Sequence, residues 1–481
     1  MHTLKIGLAS CVQPSFWGSS KDLYRTRYLP QMEALAKELD FQLLSWQEDI
    51  VTEVDGEAAC RYFNDQGVDF VLLQATTFPG GGVILPFEGL RARLGLWAIP
   101  ECIQGGAIPL NSFCGVNMLG SILGQYIDAK RPVKWFYGEV ESPLFRERFA
   151  VTLGALRGIA AMQGAKVGLV GGIAPGFNDF AFDERKTWAK LGIRVDRLPE
   201  YGDIRDKALA YDEAAVKKAM AEFAQDAACV GQCAQKGVEN AARIYLAYVD
   251  LMRENGYDAV AVGCWPKYRR DFNIVACGII GRLLEKGYLA ACEGDVDSMA
   301  AMLMLRGIAK GSAPMLMDLS DLDFADNTAM LWHCGSAPAQ FADARGFKLE
   351  THYKPGKSVP GADDIKVGVV NDMTFKPGAV TIARFTWEYS RLLLLDATMV
   401  EKDSDPGFDG SRGWIGNIHM AGQPVDAKTL ANTLLVSRFQ HHYPVVMGHY
   451  ANEVMECLAW LGIQAIEPIP YRPYLQNFTE V

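Results

Sequence analysis

Short apolar runs alternate with amphipathic stretches along the first third of the chain. The amphipathic stretches include residues 22–39 and 56–66. Buried strands separated by helical segments are typical of a parallel α/β sheet. We therefore predict an N-terminal α/β domain over residues 1–164. Its candidate strands are the apolar runs 4–10, 41–46, 69–75, 96–101 and 133–138.

A second series of the same kind begins at residue 165. Helical spacing of apolar residues is clearest over 211–225 and 237–255, which predicts helices there. We predict a second doubly wound α/β domain over residues 165–345. Its candidate strands are the runs 165–172, 193–199, 257–265, 288–293 and 314–318.

The pattern changes after about residue 345. Apolar runs at 365–370, 379–385 and 390–400 are separated by turns that contain Gly and Pro, and helical signals are scarce until residues 443–461. This pattern of apolar runs and turns predicts a β-rich, barrel-like C-terminal domain over residues 346–481. The predicted fold class is α/β, with two tandem doubly wound parallel-sheet domains followed by this β-rich domain.

Composition and charge disfavour several classes of protein. A length of 481 residues suits about three domains. The net charge of −10 disfavours general nucleic-acid binding. No apolar run approaches the roughly 18 residues of a membrane span, and the chain begins directly with a predicted strand. Eleven cysteines, mostly in apolar surroundings, are typical of reduced thiols, so we predict a cytoplasmic protein without a membrane partner.

Two segments lack the residues, at the required spacing, of a dinucleotide-binding motif and of a zinc site. The glycines after the first strand of the second series (Gly171, Gly172 and Gly176) do not fit the dinucleotide fingerprint, which disfavours a nucleotide-dependent dehydrogenase and favours a plain strand-to-helix turn. Cys229 and Cys233 lack the further ligands of a zinc site.

Two carboxylates each end an apolar run. Glu293 follows YLAAC and Asp318 follows PMLM, with a helix-like segment between them. A strand–helix–strand unit predicts a parallel crossover that places both carboxylates at one sheet edge, where α/β folds bind ligands. Neighbouring carboxylates repel each other unless a cation or proton lies between them. The alternative is that each caps a helix, although Asp295 and Asp297 are better capping candidates.

Six of the seven histidines lie in the last third of the chain. His333 ends an apolar run and could return to the edge with the carboxylates. His441 and His442 form a pair in a predicted loop. Two carboxylates with one or two imidazoles suit Mn²⁺ or a similar divalent cation. A structural role is the alternative for each histidine.

Five segments form a recognisable set: CEGD (292–295), the Asp318 strand, WHCG-x-AP (332–338), FKPG-x-VT-x-AR (375–384), and HHY (441–443) followed by His449. Together they resemble the L-fucose isomerase and L-arabinose isomerase superfamily. GCWP (263–266) and LNSFCGVNMLGSIL (110–123) fit the same family, so the resemblance covers nearly the whole chain. It implies two α/β domains, a β-rich C-terminal domain, and a homo-oligomer such as a hexamer built from trimers.

The resemblance also implies a chemistry: a Mn²⁺-dependent intramolecular oxidoreductase that interconverts aldoses and ketoses through a cis-enediol. Glu293 and Asp318 would be metal ligands and acid–base groups, and His442 the third ligand. His333 matches a further ligand of the arabinose branch, and His441 is a weaker neighbour. One carboxylate would remove a proton from C2 and the other return one to C1, in an order that the sequence leaves open.

The sugar itself is less constrained. The prediction is an open-chain hexose or deoxy sugar. The alternative is the same chemistry on an anionic sugar, sulfoquinovose to 6-deoxy-6-sulfofructose, because a basic cluster, KYRR (267–270), follows GCWP and can bind a sulfonate. For the cluster itself, a solvated helix start is the favoured interpretation. A non-catalytic sugar-binding protein is a second alternative for the function. The candidate substrate contacts are Lys267, Arg269, Arg270, Trp17 and Arg25.

Overall fold

The chain divides into two compact units, Met1–Arg157 and Gly158–Val481. Each is described by itself, and the three domain boundaries expected from the sequence stay a prediction. None of the helices described has the length and apolar character needed to cross a membrane. The computed structural model describes residues 2–16, 22–103, 105–128, 131–198, 201–225, 227–231, 235–352, 368–386, 388–402 and 408–477.

The first unit contains a parallel five-stranded sheet in the order β2-β1-β3-β4-β5, which confirms the parallel α/β sheet expected there. The capping box of Thr52 and Asp55 begins α2, and left-handed Gly67 ends it. The strands are β1 (Lys5–Cys11), β2 (Gln42–Ile50), β3 (Phe70–Ala75), β4 (Arg93–Ala98) and β5 (Val133–Tyr137); the helices are α1 (Leu29–Leu39), α2 (Glu53–Gln66), α3 (Ser112–Ile122) and α4 (Pro143–Met162), which runs on into the second unit.

The second unit begins with a parallel four-stranded sheet in the order β10-β9-β6-β7. Its strands are β6 (Lys166–Val170), β7 (Arg194–Leu198), β9 (Ala259–Val262) and β10 (Leu289–Ala291), while β8 (Cys229–Val230) pairs elsewhere. The helices are α5 (Glu184–Leu191), α6 (Gly202–Ala210), α7 (Glu213–Gln225), α8 (Gln235–Asn255), α9 (Lys267–Phe272), α10 (Cys277–Glu285) and α11 (Val296–Ile308).

A larger mixed sheet occupies the rest of the second unit. Six of its strands pair antiparallel in the cycle β16-β15-β19-β11-β12-β17 and back to β16, so they form a closed barrel. The strands are β11 (Met315–Asp323), β12 (Thr328–His333), β13 (Lys348–Thr351), β14 (Gly368–Thr374), β15 (Gly378–Thr386), β16 (Arg391–Val400), β17 (Ser411–Met420), β18 (Gln423–Pro424), β19 (His442–Met447) and β20 (Gln464–Ala465); the helices are α12 (Ala427–Val436) and α13 (Ala451–Leu461).

Short helical turns of other types interrupt the loops. The 3₁₀ segments are Pro14–Phe16, Gly81–Gly89, Asn178–Phe180 and Ala339–Phe341, and the π-helical segments are Tyr24–Tyr28 and Leu123–Ile127.

The predicted parallel crossover between Glu293 and Asp318 is wrong. β10 pairs with β9 in the parallel sheet, whereas β11 pairs antiparallel with β12 and β19 in the barrel. A short hairpin to β12 lets β11 pair with its neighbour in sequence, which does not require a crossover. The almost wholly buried α11 packs against strands of both sheets and brings their ends together.

Two smaller expectations at the C-terminus are also corrected. His442 is the first residue of β19 and does not lie in a loop, and the helical signal over 443–461 is divided between β19 and α13. The apolar β19 is buried on both faces, so it lacks the alternation that marks a strand with one exposed face.

Candidate active site

Glu293 lies in the turn between β10 and α11. Its backbone is left-handed, with φ of 59°, and Gly294 follows with φ of 77°. Such a conformation is unfavourable for a non-glycine residue and is retained where surrounding contacts impose it. Here the amide of Ala174 donates to the Glu293 carbonyl at 3.0 Å, and the amide of Gly294 donates to the Val262 carbonyl at 3.0 Å. Loops that follow β6 and β9 therefore hold the turn that carries Glu293.

The same turn explains the glycines that did not fit a dinucleotide motif. A Cβ on Gly294 would lie 2.6 Å from the Gly172 carbonyl oxygen, and one on Gly263 would lie 2.5 Å from the same atom. Gly171 and Gly172 both have positive φ. These glycines let the loops after β6, β9 and β10 pack against one another, so the reading as a strand-to-helix turn suffices for them.

Asp318 and His442 are brought together by strand register. Asp318 in β11 is paired directly with His442 in β19, and directly opposed residues project from the same face of a sheet. Asp318 Oδ1 lies 3.7 Å from His442 Nε2. Glu293 Oε2 lies 3.5 Å from that same nitrogen. The three predicted ligands thus converge on one point.

The two carboxylate oxygens at this point accept no hydrogen bond from the described residues, although imidazole nitrogens lie 3.4–3.7 Å away. Glu293 Oε2 and Asp318 Oδ1 are both buried, and neither accepts a hydrogen bond within the described part of the chain. Buried polar atoms are ordinarily satisfied, and two such oxygens beside an imidazole nitrogen form a favourable environment for a cation. These residues therefore fit the divalent cation that the sequence led us to expect.

The histidines around His442 differ in their surroundings. His333 is buried in β12 with Ser336 Oγ 3.0 Å from its Nδ1, and its ligand atom lies within 4.8 Å of those of Asp318 and His442. His441 is 42% exposed and pairs with Asp179 at 2.9 Å. Its ligand atom belongs to a second close set with Glu293 and His442. Both predicted additional histidines are therefore near the convergence point.

Ionisation states follow from these contacts. Burial raises the pKa of Asp318, although His333 and His442 partly oppose the shift. For His441, burial lowers the pKa, but the neighbouring carboxylates of Glu293, whose Oε2 lies 3.4 Å from His441 Nε2, and of Asp179 outweigh burial and raise the pKa to about 9. These contacts favour the protonated form of Asp318 and the positively charged form of His441.

Asp295 and Arg384 orient His442 and were not assigned to the site from the sequence. The Asp295 carboxylate lies 3.1 Å from His442 Nδ1 and 2.8 Å from the Arg384 guanidinium, and both charged side chains are completely buried. The Phe180 ring stacks on the imidazole at 4.6 Å. A carboxylate bonded to one imidazole nitrogen directs the other toward a ligand. His442 Nε2 consequently faces Glu293 and Asp318.

The sequence contained a partial signal for both residues. Asp295 was considered only as a helix cap, and it does cap α11 by accepting from the Ser298 amide at 2.9 Å. Arg384 interrupts an apolar strand and donates to Ser298 Oγ and to the His442 carbonyl. Burial raises the pKa of Asp295, but the charge of Arg384 and the bond to His442 outweigh burial and hold the pKa below its ordinary value. A buried arginine requires such a partner.

The predicted substrate contacts are dispersed. Lys267 Nζ lies beside the Gly171 turn, 3.7 Å from where a Cβ would stand. Arg270 is 69% exposed and pairs with Asp271 at 2.6 Å, and Arg269 is half-buried in α9. In the first unit, Arg25 pairs with Asp49 at 3.3 Å, while Trp17 lies outside the described residues. Lys267 is thus the member of the basic cluster placed beside the loops that hold Glu293.

Comparison with known proteins supports the resemblance. No protein-family model matches the chain. The chain is 24% identical over 429 residues to "Sulfoquinovose isomerase" of Priestia aryabhattai, covering 87% of this chain and 90% of that protein. The protein of the same name from Alkalicoccus urumqiensis is 24% identical over 409 residues, covering 83% and 86%.

The solved structures that match this chain are too dissimilar to support a statement about its fold. A periplasmic solute-binding protein from Actinobacillus succinogenes with bound D-allose matches 64% of this chain and 92% of that chain, at 12% identity and a TM-score of 0.16. That score is too low to bear on the fold. Over most of its length the chain is thus similar to curated proteins named sulfoquinovose isomerase.

Proposed function

We propose that the chain is an aldose–ketose isomerase that converts sulfoquinovose into 6-deoxy-6-sulfofructose. The observation that carries the proposal is the pair of buried carboxylate oxygens of Glu293 and Asp318, which face His442 Nε2 and accept no hydrogen bond from the described residues. The names of the relatives favour the anionic sugar over the neutral hexose or deoxy sugar. A non-catalytic sugar-binding protein would have no need of these costly unpaired groups.

The residues that would hold a divalent cation are Glu293, Asp318 and His442, with His333 as a further ligand. Their oxygen and imidazole donors suit Mn²⁺. When bound, the ion supplies stabilisation of the negative charge that develops on the substrate oxygens. Asp295 and Arg384 keep His442 in the orientation that this role requires.

The two carboxylates would move the protons. One takes the proton from C2 of the open-chain aldose to give a cis-enediol, and a carboxylic acid then returns a proton to C1. The O2 hydroxyl proton passes to O1, so the ketose has the same composition as the aldose. Burial raises the pKa of Asp318 above its ordinary value, which favours a role in accepting and returning a proton.

The test of this proposal is turnover by carboxylate variants. With Mn²⁺ present, Glu293→Gln and Asp318→Asn should each lower the rate of ketose formation by about 10²–10⁴-fold, the usual contribution of a general acid–base group. The rate is followed by NMR of the sugar mixture. Asp321→Asn is the control, since Asp321 lies on the same strand but is exposed. Near-full activity in either site variant would contradict the assignment.

Sulfonate recognition is tested separately at Lys267. Loss of a charged hydrogen bond costs about 1.5–3 kcal/mol, so Lys267→Met should raise KM for sulfoquinovose by roughly tenfold or more and leave the kinetics with glucose unchanged. Arg270→Met is the matched control, because Arg270 is exposed and already paired. An unchanged KM in Lys267→Met would exclude this lysine as the sulfonate contact.

We further propose a homo-oligomer built from trimers, which the family resemblance supports. Sedimentation of the purified protein should then give a mass of three or six times the chain mass of 52.9 kDa. A monomeric mass at the concentrations used for assay would contradict it.

A further inference from the structure

A second cluster of ligand-type side chains lies apart from the three proposed ligands. Cys277 is the first residue of α10, Cys334 follows β12, and His352 follows β13. Their ligand atoms all lie within 4.8 Å of one another. We propose that these three residues bind a thiophilic divalent cation of the Zn²⁺ class.

The backbone holds the two thiols in place. A Cβ on Gly278, next to Cys277, would lie 2.4 Å from the Val369 carbonyl oxygen. A Cβ on Gly335, next to Cys334, would lie 2.5 Å from Val370 Cβ. The first turn of α10 and the turn after β12 are therefore both packed directly on β14. The backbone segments that carry the two thiols are thus held close together before any ion binds.

The donor set selects the kind of ion. Two sulfurs and one imidazole favour Zn²⁺ and other soft cations over Mn²⁺, which prefers oxygen donors. Bond lengths of about 2.3 Å to sulfur and 2.0–2.1 Å to nitrogen place tetrahedral donors about 3.4–3.8 Å apart. Because the observed atoms lie within 4.8 Å of one another, their separations need to shorten by about 1.4 Å or less to reach that geometry. Each thiol releases its proton to solvent as its sulfur–metal bond forms.

A bound ion would tie together three separate elements. It would join α10 to the ends of β12 and β13, and Cys334 is the neighbour of His333 in the chain. The inference rests on the Cys–Cys–His set alone, so it stands or fails independently of the isomerase activity. The cluster would give His352 a role as a metal ligand.

A neighbouring thiol pair is the competing site. Cys264 Sγ and Cys292 Sγ lie 3.3 Å apart, and the third group near them is Glu293. That carboxylate already belongs to the proposed active site. Any thiol–metal signal must therefore be assigned to one pair or the other by variants.

Cobalt absorption distinguishes these possibilities. Reduced, chelator-treated full-length protein is titrated with Co²⁺, and thiolate coordination is detected by its near-ultraviolet charge-transfer band, which an oxygen–nitrogen site lacks. We expect one equivalent of this signal in the wild type, displaced by Zn²⁺. It should persist in Cys264→Ser and Cys114→Ser and vanish in Cys277→Ser and Cys334→Ser. No band in the wild type, or a band lost only in Cys264→Ser, would overturn the proposal.

A measurement on the unaltered chain covers the case in which the serine variants fail to fold. Zn²⁺ should slow alkylation of the half-buried Cys334 by at least about tenfold, since a coordinated thiolate is withdrawn from reaction. The exposed Cys114 should react at the same rate with and without Zn²⁺. Equal alkylation of Cys334 under both conditions would overturn the proposal.

Discussion

Asp295 serves three partners at the centre of the second unit. Its carboxylate caps α11, balances the buried charge of Arg384 and bonds to His442 Nδ1. Water cannot replace the carboxylate at any of these contacts, because all three partners are buried. The residue is therefore expected to affect both stability and metal binding.

The substitution Asp295→Asn should reveal both effects. Leaving Arg384 as an unbalanced buried charge should lower the free energy of unfolding by about 3–5 kcal/mol. Losing the carboxylate behind His442 should weaken Mn²⁺ affinity by about 10–100-fold. Chemical denaturation and Mn²⁺ titration measure the two quantities.

The matched control is Asp297→Asn. Asp297 is also buried near the start of α11, but its carboxylate accepts from the Tyr389 hydroxyl at 2.5 Å and does not contact His442. Mn²⁺ affinity should not change in this variant. Equal loss of affinity in both variants would mean that the effect of Asp295 is a general disturbance of α11.

The ionisation of Asp297 should also make the stability of the folded state depend on pH. Burial, together with the neighbouring charge of Asp295, raises the pKa of Asp297 from 3.8 to about 6. Between these values the folded state retains a proton that the unfolded state has lost, so this group lowers stability as the pH rises from about 4 to 6. The free energy of unfolding of Asp297→Asn should therefore rise relative to that of the wild type across that window, by at most about 3 kcal/mol. A constant difference across the window would contradict the shift.

At the scale of elements, the turn after β10 depends on close packing of glycines. Gly294→Ala adds a Cβ 2.6 Å from a backbone carbonyl oxygen at a positive φ. Strain and steric overlap together should cost about 2–4 kcal/mol, and activity should fall because Glu293 is displaced. Thermal unfolding and isomerase assays measure the two effects.

Gly287→Ala is the control for this element. Gly287 has a similar positive φ of 84°, but nothing lies within 4 Å of its added Cβ. The substitution should cost only the backbone strain of about 1–2 kcal/mol and leave activity unchanged. If both variants lost activity equally, close packing at Gly294 would not be the cause.

The apolar runs in the sequence predicted where strands lie more reliably than they predicted which strands pair with one another. Strands such as β3 are buried along their whole length, so their runs are continuous and easily recognised. The run at β11 was recognised too, but its assignment to the parallel sheet was wrong. An apolar run does not show which strand it will pair with, because pairing depends on contacts distant in sequence.

For the whole molecule, a cation at the proposed site would link two sheets within the second unit. Glu293 follows a strand of the parallel sheet, whereas Asp318 and His442 belong to the barrel. Mn²⁺ at about 100 times its dissociation constant should stabilise the folded state by about 2.7 kcal/mol. Differential scanning calorimetry of chelator-treated protein, with and without Mn²⁺, measures this as an increase in Tm.

The control is the same titration on Glu293→Gln. Loss of the ligand that belongs to the parallel sheet should remove most of the Mn²⁺-dependent increase in Tm. An undiminished increase in this variant would place the stabilising ion elsewhere in the chain.

The sequence by itself determined the element types and the identities of the candidate ligands. Apolar periodicity fixes which segments become buried, and the chemistry of carboxylates and imidazoles limits what they can bind. Only the tertiary structure decided how these groups meet. The pairing of Asp318 with His442 and the contact of Asp295 with Arg384 join residues far apart in the chain. Such pairings arise from strand register and from the burial of complementary charges, and local sequence does not encode either one.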